Sequence, residues 1–218
     1  MHSARLFIRG RRPLVMESFE TSEFIGALLG DGNIWAKKYE LVITGDRIKD
    51  KDYFEYLSRL VEANFDYKPH IRFRSGGLRL VIRSKSIFSS IKRHLPNGKR
   101  ALSVEIPAGL DEKAVLRGIF DTDGSIFFSR KPGVDKYPCI EISTISCKLA
   151  EQLVELLSEL GFRPRIRTDL RIHRVYIIAL NGKNQARKWL ADIGSSNPTK
   201  LARLAYAVRL LDSPRNSL

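Results

Sequence analysis

Two segments of this chain share a build that few folds can accommodate. Phe24-Ile25-Gly26-Ala27-Leu28-Leu29-Gly30 runs into Asp31-Gly32, and Leu116-Arg117-Gly118-Ile119-Phe120-Asp121-Thr122 runs into Asp123-Gly124. The first is apolar all round, so as a helix it must be buried on most sides. Gly26 and Gly30 are one turn apart and share a face, and Gly118 stands where Gly26 does. Glycine inside a helix costs about 0.5–1 kcal/mol relative to alanine. Close approach of a second backbone would offset that cost. The fold must therefore pack two such helices side by side, with Gly26, Gly30 and Gly118 in the seam.

The stretches after the two motifs are also alike. A helix over Phe19–Gly30 leads to strands at 33–35 and 41–44, and a helix over Ala114–Thr122 leads to strands at 125–128 and 140–143. Amphipathic helices are expected at Asp50–Asn64 and Ser146–Leu160. Lys68-Pro69-His70-Ile71-Arg72 then matches Arg163-Pro164-Arg165-Ile166-Arg167. Strands at 78–83 and 174–180 and helices at 86–94 and 184–193 complete two copies of one plan. The expected class is α+β: two pseudo-twofold-related αββαββα halves with antiparallel sheets. The boundaries read as a basic arm at 1–17, a first half at 18–95, a Pro- and Gly-containing linker at 96–112, a second half at 113–195, and a C-terminal helix and tail at 196–218. That last helix, over 199–211, has no counterpart in the plan.

Asp31 and Asp123 fall at helix C-termini, where Gly32 and Gly124 are expected in the left-handed cap position. A carboxylate there meets the negative end of the helix dipole, and a second carboxylate across the seam adds repulsion. Cations relieve both. Mg²⁺ favours carboxylate oxygens together with water and phosphate, so the pair suits a metal facing a phosphate backbone. A single Asp-Gly reads better as a plain turn; two, each ending a glycine-bearing apolar helix in equivalent repeats, do not. Asp121 is expected to face DNA or solvent.

Alternation along the strands separates apolar from basic faces. His70, Arg72 and Arg74 share one side, Arg79 and Arg83 another, and Arg163, Arg165 and Arg167 a third, with Arg171 and Arg174 next in the chain. The 38 Lys and Arg exceed the 24 Asp and Glu by 14. Such a surplus on strand faces points to a nucleic-acid partner, since Arg both holds phosphate and reads guanine. The arm at 1–17 carries Arg5, Arg9, Arg11 and Arg12; it reads as a DNA-binding arm, with a transit peptide as the alternative. Two cysteines, Cys139 and Cys147, are too few for a disulfide framework and are expected as buried thiols. Four scattered histidines lack zinc spacing. No apolar run is long enough to span a bilayer.

The two Asp-Gly segments resemble the paired signature of the single-chain LAGLIDADG homing endonucleases, over nearly the whole span from Ser18 to Ile193. The resemblance implies sheets that form a saddle on the DNA major groove, with the signature helices between them. It implies a monomeric, intron-encoded enzyme that hydrolyses both strands across the minor groove and leaves 3′ overhangs. Its site would be a long pseudo-palindromic or asymmetric duplex. Asp31 and Asp123 would hold Mg²⁺, for which Mn²⁺ or another divalent ion could substitute, with Gly30 and Thr122 counted in the metal site. Lys85 and Lys183 match a basic residue that orders active-site water. Gly45 and Thr144 fall where members often carry Gln. Lys37, Lys38 and Arg130 join the strand arginines as DNA contacts. An intracellular location is expected, cytoplasmic in a prokaryote and organellar in a eukaryote. Alternatives on the same fold are an RNA maturase and a catalytically dead DNA-binding protein.

Overall fold

The computed structural model describes residues 18–74, 76–95, 101–171 and 174–212. The basic arm at 1–17 lies outside them. The first half runs α1 (Phe19–Asp31), β1 (Gly32–Trp35), β2 (Glu40–Gly45), α2 (Lys51–Phe65), β3 (His70–Arg74), β4 (Gly77–Arg83) and α3 (Lys85–His94). The second repeats it as α4 (Glu112–Asp123), β5 (Gly124–Lys131), β6 (Val134–Thr144), α5 (Cys147–Glu159), β7 (Arg165–Asp169), β8 (Val175–Asn181) and α6 (Lys183–Asp192). A seventh helix, α7 (Pro198–Asp212), comes last. The sheets have the orders β1-β2-β4-β3 and β5-β6-β8-β7, antiparallel throughout.

Both seam helices start on side-chain caps. The Ser18 side chain accepts from the Thr21 amide, and Asp111 accepts from the Ala114 amide at 2.9 Å. The Asp111 amide in turn donates to the buried Ser22 hydroxyl at 2.9 Å, tying the two helix starts together. Thr21 through Gly30 are all buried, as an all-round apolar helix requires. α2 and α5 are amphipathic instead. They bury Tyr53, Phe54, Leu57, Leu60 and Val61, and Leu149, Ala150, Leu153, Leu156 and Leu157, beneath the inner sheet faces. Leu160, expected on that stripe, is the C-cap of α5 and only partly buried.

Register makes the halves comparable residue by residue. Gly32 pairs with Ile43 and Gly124 with Ile142. Ile43 pairs with Leu80, and Ile142 with Ile178. The β5–β6 hairpin is longer, with strands of 8 and 11 residues against 4 and 6 in β1–β2.

Two expectations are corrected. Gly32 and Gly124 are extended, at φ −82° and −86°, not left-handed. Glycine is required there for space: a Cβ would fall 2.6 Å from the Leu28 Cα at Gly32, and 2.5 Å from the Phe120 carbonyl oxygen at Gly124. The chain thus turns directly from helix into strand over its own last turn. Cys139 is a buried thiol as expected, but Cys147, first in α5, is exposed.

Candidate active site and nucleic-acid interface

The seam is a glycine contact. A Cβ on Gly118 would lie 2.6 Å from the Ala27 nitrogen, and one on Gly26 would lie 3.0 Å from the Val115 carbonyl carbon. Both are backbone atoms, which cannot give way as a flexible side chain can. α1 and α4 therefore touch main chain to main chain. At the far end, a Cβ on Gly30 would meet the Thr122 side chain and lie 3.3 Å from Asp123 Oδ2. The seam thus delivers the end of one signature helix against the carboxylate of the other. Asp31 is exposed and Asp123 partly so. Thr122 turns its hydroxyl back to the carbonyls of Gly118 and Ile119, at 3.1 and 3.0 Å. Beside Asp123 opens a cleft lined by Leu29, Gly30, Val104, Ser143, Thr144, Ile145 and Val175. Thr144, at one of the two positions where the resemblance implies Gln, lines this cleft.

Lys200, on α7, was missed in the sequence. Its ammonium donates to the carbonyls of Phe120, Asp121 and Thr122 at 2.7, 2.9 and 3.1 Å. The Asp121 and Thr122 carbonyls are acceptors that a helix C-terminus leaves open, while that of Phe120 also takes the Gly124 amide, so a lysine there satisfies the open pair and opposes the dipole. Burial lowers its affinity for the proton, while the charges of Asp121, Asp50, Asp31 and Asp123 pull the other way. One ammonium therefore senses both seam aspartates. Lys85 and Lys183 stand elsewhere, exposed, as the first residues of α3 and α6. Lys85 lies over the Tyr39 ring at 5.7 Å, and Lys183 lines a basic hollow with Lys131, Arg163 and Arg165.

Asp121 does not face DNA or solvent. It is 2% exposed and anchors the entry to α7. Its carboxylate takes the Ser195 hydroxyl and the amides of Ser196 and Asn197, the latter at 2.7 and 3.2 Å. Burial outweighs these donors and pushes its pKa up to about 7. Asn197 reaches across to Asp50 at 3.1 Å, and the Thr199 hydroxyl to the Lys49 carbonyl at 3.2 Å, so the same turn grips the first half. Glu23 in α1 is also buried. Tyr56 donates to it at 3.0 Å and Arg117 lies 3.7 Å away, yet burial still raises its pKa. The signal for this network was α7 itself, a helix with no place in the repeat; nothing in the pattern showed where it docks.

The outer faces carry the expected arginines, with a difference between halves. On the first sheet Arg72 stands opposite Arg79 in register, and Arg74 opposite Gly77. All three arginines are exposed, and among the described residues none has an acidic partner. Arg83 is bonded to Glu40. On the second sheet Arg167 is held by both oxygens of Glu141, at 3.1 and 3.2 Å, and Arg171 by Asp169 at 2.6 Å. By register the counterpart of Arg79 is Ile177 and that of Arg83 is Asn181. Arg163 is exposed just before β7, Arg165 is exposed on that strand, and Arg174 is exposed just before β8. Lys37, Lys38 and Arg130 are exposed at the β1–β2 turn and on β5.

Comparison with known proteins agrees with this geometry. Residues 111–194 match the model of the LAGLIDADG-like domain, and residues 20–99 that of the WhiA LAGLIDADG-like domain. The chain belongs to the LAGLIDADG family, as a single chain with two such domains. Its fold is that of the homing endonuclease I-DmoI. A structure of mesophilic I-DmoI variants matches at TM-score 0.61 with 18% identity, covering 86% of this chain and 97% of that one. I-DmoI in complex with DNA and Ca matches at 0.61 with 19% identity and the same coverage. Full-length DUF199/WhiA from Thermatoga maritima matches at 0.56 with 16% identity, covering 93% of this chain and 64% of that one. No curated protein matches this LAGLIDADG chain.

Proposed function

We propose that the protein is a site-specific DNA endonuclease that cuts both strands of one duplex across its seam. The observation that carries this reading is the meeting of the two signature-helix ends. Gly30 abuts Thr122 and the Asp123 carboxylate, and a single ammonium, that of Lys200, senses both Asp31 and Asp123. Two carboxylates meeting at one seam would repel DNA in a protein that only bound it, whereas in one that cuts they would hold the metal.

Among the described residues no group of three or more His, Cys, Asp or Glu gathers to hold an ion unaided. Two carboxylates completed by phosphate oxygens and water suit Mg²⁺, which keeps several waters and binds through one or two carboxylates. Asp31 and Asp123 would hold the cation, beside Gly30 and Thr122; once bound it supplies an activated water and stabilises the leaving oxygen. The solved I-DmoI complexes include Ca, Mn and Mg. Lys200 offsets carboxylate repulsion and fixes the end of α4. The sheet arginines hold and read the duplex. Because one chain supplies two unequal faces, a monomer suffices and the site need not be palindromic.

The test is cleavage of a plasmid carrying the site selected by the protein, with Mg²⁺ or Mn²⁺. Asp31→Asn and Asp123→Asn should each lower double-strand cutting more than about a hundredfold, the scale of removing one charge-stabilising group. Duplex binding should largely survive. Full cutting by both variants overturns the assignment. Salt-sensitive binding by the unaltered protein, with no cutting under any divalent ion, favours the silent DNA-binding alternative.

A further inference from the structure

On each sheet a large ring stands exposed on the outer face close to the end of the signature helix. Trp35 closes β1 and is 57% exposed; Phe127 in β5 is 38% exposed. Register makes them equivalents, each three residues beyond the glycine that ends its signature helix. Strand alternation turns Ile34 and Ile126 toward the core, so Trp35 and Phe127 point outward with Asn33 and Ser125. The other exposed rings have company: Tyr39 meets Phe88 edge-on, Tyr206 meets Phe128, and Phe73, on the opposite side of its strand from Arg72 and Arg74, carries the Arg47 guanidinium at 5.5 Å. Among the described residues neither Trp35 nor Phe127 has a ring partner or a side-chain hydrogen bond. A single bare ring on a surface needs no explanation; two at register-matched places, each on the face that carries its sheet's arginines, are a feature that the repeat has kept.

We infer that Trp35 and Phe127 are paired specificity residues that take thymine methyl groups in the major groove, one in each half of the target. The inference rests on the DNA-cutting reading and names what these faces read. A strand advances about 3.3 Å per residue, and a duplex about 3.4 Å per base pair. Each ring therefore stands about 10 Å out from its helix end, roughly three base pairs from the seam. Paired bases in the major groove present edges and not faces, so a ring there cannot stack. The apolar feature on offer is the thymine C5 methyl. The arginines on the same faces supply the phosphate and guanine contacts, and the rings supply the apolar ones.

The experiment is selection of bound duplexes from a randomised pool in EDTA, followed by affinity measurements. The protein should enrich thymine once on each side of the centre, about six base pairs apart. Trp35→Ala should erase the preference on one side only, and Phe127→Ala on the other. Replacing either thymine by deoxyuridine removes one methyl and should weaken binding about fourfold, the worth of one buried carbon group. Trp35→Ala should be blind to that exchange on its own side. Of the two tryptophans, Trp189 is fully buried. Fluorescence quenching on duplex addition should therefore come from Trp35 and vanish in Trp35→Phe. Selected duplexes with no thymine at those steps, or equal affinity for thymine and deoxyuridine, overturn this inference and leave the endonuclease reading standing. Failure to enrich any duplex overturns both, as does tighter binding to unpaired RNA, for which the rings would be stacking platforms.

Discussion

On the first sheet Arg72 and Arg79 face one another across β3 and β4 with no acid beside them; on the second, Arg167 is clasped by Glu141 and the place of Arg79 is taken by Ile177. Like charges directly opposite in a sheet cost stability. The Arg72–Arg79 pair holds that cost open until an anion arrives, whereas its counterpart on the second sheet has settled its charge internally. The seam ends are not treated alike either: three carbonyls at the end of α4 accept from Lys200, and the cleft beside Asp123 takes Leu29 and Gly30 of α1 into its wall. The halves have kept what packs them together and diverged in what they present outward. A single chain is free to do this, because its two halves are separate stretches of sequence that need not stay alike.

The seam is common to both halves, so breaking it removes the comparison altogether. Gly118→Ala drives a Cβ against the α1 backbone and should destabilise the protein by about 3 kcal/mol or more, the upper range for overpacking. Denaturant midpoints measure it, and Gly26→Ala should behave alike. An alanine variant within about 0.5 kcal/mol of the parent, the scatter of a neutral surface change, would mean the helices do not meet main chain to main chain.

The buried acids sharpen the contrast between the two seam ends. Asp121 has its pKa raised from 3.8 to about 7, and that of Glu23 is raised from 4.5. The folded state therefore holds protons that the unfolded chain releases. This advantage is full below about pH 4 and is lost as pH rises toward 7. Stability should fall across that window, by at most about 1.4 kcal/mol per pH unit for each group. Urea midpoints at about pH 4.5 and 7.5 in EDTA give the slope, and Asp121→Asn should flatten it. An unchanged slope would mean that Asp121 is ionised throughout.

The smallest effect separates the faces themselves. Arg79→Ala should weaken duplex binding about tenfold and reduce the salt slope by about 1. Arg167→Ala should cost only about two- to threefold, since Glu141 already offsets its charge. Equal losses for the two would dissolve the distinction.

Much of the architecture was legible in the residues. Gly26, Gly30 and Gly118 are costly in helices, so their spacing alone announced a seam. Pro69 and Pro164 aligned the halves, and strand alternation identified the arginine faces. The α7 anchor was not legible. Lys200 acts on a helix end about 80 residues away, through carbonyls that leave no mark in a pattern. Asp121 looked like one more acid near the motif because burial depends on where residues 195–197 return. The exchange of Arg79 for Ile177 emerged only once strand pairing set the register. The extended backbone at Gly32 and Gly124 shows a related limit: the pattern suggests a left-handed cap, whereas crowding by the preceding helical turn is what requires glycine there.

The proposed cleavage at the seam requires that Asp31 and Asp123 jointly hold a cation against DNA. Mn²⁺ binding to the protein–duplex complex, measured by electron paramagnetic resonance, tests this most directly. The parent complex should bind Mn²⁺ well beyond duplex alone, and Asp31→Asn and Asp123→Asn should each lose most of that excess while still binding the duplex. Undiminished Mn²⁺ binding in both variants would contradict it.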